Sequence, residues 1–377
     1  MVDIIKLPHF LLERVLETLK KERQVEVKGA DSYTTLSYRY RITDGGRERA
    51  NRLMEICRYA GPAPVSFASY ADMVESQTVK SIDVSEAEVS KALSHLVLSQ
   101  KSIQRLGPAI SSGQALFLHG PPGNGKSAIA EAIASVLPDT ILIPYAVTVG
   151  GQIINIYDPV SHIRVTTDDG GIACDQRWIS VRRPVVMTGG ELTMRMLDLD
   201  FNTVTNYYEA SLQMKANNGL LIIDDFGRQQ VDPHQILNRW IVPLDRRIDY
   251  MTLHTGMKFT IPFDILLVFA TNIEPQKLVD EAFLRRIRYK IKIDHPTEKD
   301  FVTIFRTVCA QFGVKFNESA YTFMIEQWYR RFDIRFNACH PRDIVEHIVN
   351  YSRYFNKPLE LDEESIMFAC ENYFVTD

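Results

Sequence analysis

Gly120-Pro121-Pro122-Gly123-Asn124-Gly125-Lys126-Ser127 lies between an apolar run, Ala115-Leu116-Phe117-Leu118, and a helix-forming stretch, 128–137. It fits G-x-x-x-x-G-K-[ST] at every fixed position, in the strand–loop–helix setting the pattern requires. Glycines let the backbone curl so that successive N–H groups face one anion, and the helix N-terminus behind them adds positive potential. A lysine at this place reaches the β- and γ-phosphates, and the adjoining hydroxyl holds Mg²⁺. Gly120 to Ser127, with Ala128 opening the helix, are the candidate nucleotide-binding residues, and Mg-ATP is the expected ligand. A Gly/Pro turn arising by chance would lack both flanks.

Outward from this loop, short apolar runs alternate with helical segments. The runs are 115–118, 140–143, 220–223, 265–269 and 289–293. Continuous apolar strands alternating with helices predict an α/β fold, a parallel sheet covered on both faces. In that fold, Leu220-Leu221-Ile222-Ile223-Asp224-Asp225 brings two carboxylates to the carboxyl edge of the sheet, where ligands bind. Asp224 is the candidate support for Mg²⁺ together with Ser127. Asp225 is the candidate for polarising the attacking water.

From about residue 90 to 377 the chain resembles an AAA+ ATPase among the P-loop proteins. Val268-Phe269-Ala270-Thr271-Asn272 resembles the sensor 1 strand of that family, which implies that Asn272 orients the lytic water. Asp280-Glu281-Ala282-Phe283-Leu284-Arg285-Arg286-Ile287 resembles the segment carrying the arginine finger, with Arg286 preferred over Arg285 because it directly precedes an apolar residue. A guanidinium suits that task better than an ammonium, being planar and permanently charged. His340-Pro341-Arg342-Asp343-Ile344 resembles sensor 2, which implies that Arg342 reaches back to the γ-phosphate. The family's architecture is an α/β core followed by a helical lid. A finger supplied by a neighbour implies a homo-oligomer, a ring of six or a helical filament. One position departs from the family pattern: the second acid is commonly Glu, and here it is Asp225. The missing methylene shortens its reach by about 1.5 Å, so slow turnover is expected.

Size and composition set the surroundings. The 377 residues allow two or three domains. A formal charge of −4 argues against coating nucleic acid by bulk charge alone. Five scattered cysteines without a Cys-x-x-Cys pair fit free thiols in a reducing compartment. No signal-like start and no membrane-length apolar run are seen, so a cytoplasmic protein without membrane insertion is expected.

Four stretches separate by pattern: 1–65, a helical linker at 66–112, the ATPase core at 113–296, and a helical lid at 297–377. The first is locally basic, with 12 Lys and Arg against 9 Asp and Glu, a net +3. Its expected order is a helix at 8–21, strands at 23–28 and 36–42 joined by Gly29-Ala30-Asp31-Ser32, then a helix from Asp44. Thr43-Asp44-Gly45-Gly46-Arg47 after a Tyr-rich strand resembles a winged helix, truncated because only seven residues precede Pro8. Such units bind DNA or dock proteins. Arg14, Lys20, Lys21 and Arg23 would lie near the recognition position.

The core carries an expected β-hairpin insertion at 146–183, signalled by Gly150-Gly151 and Asp169-Gly170-Gly171. Family insertions here often form substrate-contacting pore loops, which makes Tyr157, Arg177, Trp178, Arg182 and Arg183 candidates to grip a polymer. The competing reading is a surface elaboration. The function expected from these parts is an ATPase ring that remodels a protein or protein–nucleic-acid partner. The alternative is a slowly hydrolysing switch that recruits and releases partners, including on DNA.

Overall fold

Five parallel strands form the central sheet of the computed structural model: β1 (Leu116–His119), β2 (Val185–Thr188), β3 (Leu220–Ile223), β4 (Leu266–Thr271) and β5 (Tyr289–Lys292). Their spatial order is β5-β1-β4-β3-β2. The structure describes residues 1–30, 38–137, 140–165 and 175–374. Successive side chains point to opposite faces, so an unbroken apolar run must be covered on both sides. On one face Leu116, Leu118, Ile222 and Val268 pack with Ile129 and Ile133 of the helix Lys126–Ala134 and with Leu106 of the helix Gln100–Ser111. On the other, Phe117, Leu221, Ile223 and Phe269 pack with Phe226, Trp240 and Phe263. Every residue of β3 and β4 is buried. The result is an α/β fold with the core sheet in the middle and a helical C-terminal region.

The outer strand corrects the sequence reading. The run 140–143 is expected as the second strand of the parallel sheet, but in the structure Thr140–Pro144 pairs antiparallel with Trp178–Arg182 in a separate ribbon. β2 takes the edge instead. It is four residues long and half exposed, with Val186 and Thr188 buried while Val185 and Met187 face outward. Val185-Val186-Met187 is itself a short apolar run, as apolar as 140–143, so composition does not choose between the two and only the pairing does.

A second, mixed sheet runs Asp200–Asn202, Tyr207–Glu209, Gln152–Asn155, Ala146–Val149, Val65–Ser66. Its central hairpin turns on Gly150 and Gly151, with φ of 56° and 78° between Val149 and Gln152. Two successive positive φ values make the tight turn whose twist matches a hairpin, and glycine adopts them without strain. The expected Asp169-Gly170-Gly171 turn lies outside the described residues, as does Cys174.

The N-terminal segment runs helix His9–Lys21, antiparallel strands Val25–Ala30 and Tyr38–Ile42, helix Asp44–Ile56. The expected turn residues Asp31 and Ser32 and the strand residues Leu36 and Ser37 lie outside the described residues. Thr43 caps the second helix by accepting from the Gly46 N–H at 3.1 Å, and its hydroxyl donates to the Arg23 carbonyl at 2.8 Å. A Cβ on Gly46 would run into the Gln24 carbonyl, so glycine permits the close approach. The C-terminal region comprises helices Glu298–Phe312, Glu318–Met324, His340–Phe355 and Glu363–Tyr373 around Phe301, Phe305, Tyr329, Ile344 and Ile366. No helix among the described residues is long and apolar enough to cross a membrane.

Candidate nucleotide site

Because all five strands run the same way, their carboxyl ends meet along one edge. β1 runs into the Gly120–Ser127 loop, β3 into Asp224 and Asp225, and β4 into Asn272. The loop needs its glycines for two separate reasons. Gly120, Gly123 and Gly125 have φ of 142°, 73° and 78°. A Cβ on Gly120 would also strike the Ile293 carbonyl just past β5.

Lys126 is only 7% exposed, and its ammonium donates to the carbonyls of Gly120 at 3.0 Å and Pro121 at 2.7 Å. Burial lowers its pKa, and the nearby Asp225 and Asp224 carboxylates oppose that shift. The Ser127 hydroxyl donates to Asp224 Oδ2 at 2.7 Å. Two hard oxygens so placed suit Mg²⁺, which binds through one or two protein oxygens and keeps several waters. Among the described residues no cluster of three His, Cys, Asp or Glu forms an all-protein metal site.

Asn272 donates to Asp225 Oδ1 at 3.1 Å, joining the ends of β3 and β4. The Asp224 N–H donates to the Thr188 carbonyl at 2.8 Å, and the Phe226 N–H to Ala270 at 2.8 Å, so both neighbours of β3 hold the acids at the edge. Lys126, Ser127, Asp224, Asp225 and Asn272 therefore converge at one place.

The C-terminal region closes over the loop. Asn124, 4% exposed, accepts from the Ala338 N–H at 3.0 Å, and Asn124 Nδ2 donates to Asn337 Oδ1 at 3.4 Å. The helix His340–Phe355 begins here, and Arg342 is exposed in its first turn. Beside the loop is a cleft of about 480 Å³, whose lining includes Val97, Leu98, Arg105, Asn124, Ile293 and Ala338. Sequence reasoning missed this cleft, because its walls come from four distant stretches with no shared motif.

Arg285 and Arg286 are not brought to this site. They precede β5 and lie at the amino edge of the sheet, opposite the loop. Arg286 Nε donates to Asp245 Oδ2 at 2.8 Å, and Arg285 is exposed. Both line a polar cleft of about 290 Å³ with Lys80, Gln114, Arg247 and Arg288.

Four of the five polymer-gripping candidates have partners within the chain. Tyr157 lies edge-on to Tyr145 and stacks on His162, and Trp178 packs against the core of the second sheet. Arg177 pairs with Asp175, while Arg183 donates to the carbonyls of Gln77 at 2.9 Å and Asn218 at 2.7 Å. Arg182 alone of the five is exposed. Tyr157, Arg177, Trp178 and Arg183 are each partly exposed as well as engaged within the chain.

The fold and loop define an α/β P-loop nucleotide-binding core with a helical C-terminal region. A family described as a domain of unknown function (DUF8689) matches residues 297–372, the C-terminal helices. No curated protein sequence matches. Among solved structures, the chain is similar to the RuvB Holliday junction branch migration motor of Thermotoga maritima. That match has 14% identity and a TM-score of 0.41, covering 78% of this chain and 72% of that one. NtrX from Brucella abortus in complex with ADP is also similar, at 13% identity and a TM-score of 0.44, over 74% of this chain and 56% of that one. At these scores the likeness carries no argument, and the assignment rests on the sheet and the loop.

Proposed function

We propose that the chain is an AAA+ ATPase that binds Mg-ATP at the Gly120–Ser127 loop and hydrolyses it in a homo-oligomeric ring or filament. The observation carrying this reading is the convergence of the Ser127–Asp224 and Asn272–Asp225 pairs on the loop that holds Lys126. In this reading Lys126 leaves its carbonyl partners to bind the terminal phosphates. Ser127 and Asp224 hold Mg²⁺, which neutralises charge on the phosphate oxygens. Asp225 accepts a proton from the attacking water, and Asn272 fixes the carboxylate that does so. The base lodges in the cleft between 97–105 and 293–297, and Arg342 senses the terminal phosphate from the lid.

The position of Arg285 and Arg286 supports the proposed assembly. Arg285 and Arg286 lie on the edge opposite their own loop, so a role at the phosphates requires a neighbouring copy. The proposed units are 1–65, 66–112, 113–296 with its hairpin insertion, and 297–377. In this scheme the lid and the core close on the nucleotide, and the N-terminal winged-helix-like unit docks a protein or DNA partner.

The alternative, a slow ATP switch, is favoured by one feature: Asp225 stands where a longer acid is usual. A single hydrolysis per partner-binding cycle would support the switch, whereas repeated turnover stimulated by partner would support the remodelling motor.

The testing experiment is ATPase rate against protein concentration for wild type, Lys126→Ala and Asp225→Asn, with and without DNA. Activity should rise with assembly and vanish in Lys126→Ala. A rate per subunit independent of concentration across a dilution that dissociates the protein would reject the shared site.

A further inference from the structure

Gln229 lies on the loop after β3, five residues past Asp224, and is half-buried. Its side-chain amide donates to the carbonyls of Asp224 at 3.0 Å and Asp225 at 3.3 Å. Its Oε1 accepts from the Gly227 N–H at 2.8 Å. One side chain thus ties three backbone groups of the turn that carries both acids.

That turn needs holding. Asp225 has φ of 47°, in the left-handed region that a residue with a Cβ enters at a cost of about 1 kcal/mol. Gly227 follows with φ of 102°, and a Cβ there would lie 2.6 Å from Leu278. Within the turn the Asp225 N–H also donates to Asp224 Oδ1 at 2.9 Å and the Arg228 N–H to the Asp225 carbonyl at 3.0 Å. From β4, the Ala270 carbonyl accepts from the Phe226 N–H at 2.8 Å and the Thr271 hydroxyl donates to the Phe226 carbonyl at 2.6 Å. Among the described residues, Gln229 is the side chain that bonds the backbone of Asp224, Asp225 and Gly227 together.

We infer that Gln229 is a positioning residue for hydrolysis: by clamping the turn it keeps Asp225 in the left-handed conformation that directs its carboxylate to Asn272. This rests on the proposal that the site hydrolyses ATP. The clamp's bonds are to backbone groups of Asp224, Asp225 and Gly227, and none of them involves Lys126 or Ser127. It therefore governs the rate of the chemical step and leaves nucleotide affinity alone. A residue that merely stabilised the fold would change melting temperature without this division.

The test uses the full chain with Gln229→Met, which keeps side-chain length and removes all three bonds. Gln229→Glu serves as the second variant, since it keeps an acceptor for Gly227 and loses the donor to the two carbonyls. Both should lower kcat by about ten- to a hundredfold, the scale of a catalytic group misplaced by roughly an ångström, while KM and Kd for ATP stay within about twofold. In an Asp225→Asn background Gln229→Met should cause no further loss, because residues acting through one group are not additive. Unchanged kcat, a parallel loss of ATP affinity, or the same fold-loss in the Asp225→Asn background would each overturn the inference. If Gln229→Met fails to fold, Gln229→Glu carries the same comparison. A wild-type chain that binds ATP without hydrolysing it sinks the ATPase reading itself. Wild-type activity that Asp225→Asn lowers to a measurable residual rate and Gln229→Met leaves intact sinks this inference alone.

Discussion

The backbone N–H of Cys339 donates to the carbonyl of Gly123 at 2.9 Å, so the residue before the His340–Phe355 helix is bonded to the middle of the phosphate loop. A Cβ on Gly123 would sit 2.6 Å from the Cys339 sulfur, which leaves no room for a side chain between them. Any change in the loop on binding phosphate must therefore be felt by the C-terminal helices.

Asn124→Ala tests that connection. The substitution leaves the Ala338 N–H without its partner and removes the side-chain bond to Asn337. The Ala338 N–H is half-buried, so losing its partner costs about 1 kcal/mol, the low end for an unsatisfied donor. Amide exchange at 337–343 should then quicken by roughly five- to tenfold, since about 1.4 kcal/mol is a factor of ten in local opening. Unchanged exchange in this stretch would show that the lid is held by its other contacts.

His340 makes the same junction pH-dependent. It is 6% exposed, with Nδ1 on the Tyr329 hydroxyl at 2.9 Å and Nε2 accepting from Asn337 at 3.1 Å. Burial pushes its pKa down to about 4, with Asp343 opposing. The folded imidazole thus stays neutral where the unfolded one, near 6.5, takes up a proton. Its stabilising contribution is complete above about pH 6.5 and is lost as the pH falls toward 4, at up to about 1.4 kcal/mol per pH unit. Urea unfolding of wild type at pH 7 and 5 should show this loss, and His340→Gln should flatten the slope by about one proton. An identical slope in the variant would assign the acid sensitivity elsewhere.

Ser127→Ala separates metal from phosphate. The variant keeps the backbone loop and Lys126 and loses the hydroxyl that pairs with Asp224. ATP binding measured in EDTA should be unchanged within about twofold, while Mg²⁺-supported hydrolysis should fall by about a hundredfold. Equal losses with and without Mg²⁺ would mean that Ser127 supports the loop and not the ion.

What was legible in the sequence follows from how locally each feature is encoded. The loop, the acid pair and the Thr271-Asn272 strand end are each written in a few adjacent residues, and the structure brings them together. β3 and β4 are buried on both faces and so read as continuous apolar runs. The run 140–143 and Val185–Thr188 are equally apolar in sequence, so which of them joins the parallel sheet is decided by pairing between distant strands, which no local run encodes. The stacking of Tyr157 on His162 and the packing of Trp178 against the second sheet join distant residues, so sequence does not encode them. Gln229 carries no motif. It reaches three backbone groups of one turn, a relationship set by the turn's shape and not by residue type.

Mixing two inactive chains gives the most direct test of a shared site. Lys126→Ala removes the phosphate lysine and leaves the arginines at the amino edge. Arg286→Ala removes a guanidinium that pairs with Asp245 in its own chain and leaves the loop intact. If Arg286 serves its own loop, each subunit of a mixture stays broken and activity remains at background. If it serves the loop of a neighbour, an Arg286→Ala subunit whose neighbour is a Lys126→Ala subunit has a complete site. Random assembly from equal amounts then restores about a quarter of the wild-type rate, because half the sites have an intact loop and half of those an intact finger. The single variants should each lose about a thousandfold or more, the scale seen for arginine fingers. Arg285→Ala run in parallel decides between the two arginines, since only the true finger complements Lys126→Ala. No recovery for either, with both variants still assembling at the wild-type concentration, would remove the finger from this segment and the neighbour from the active site.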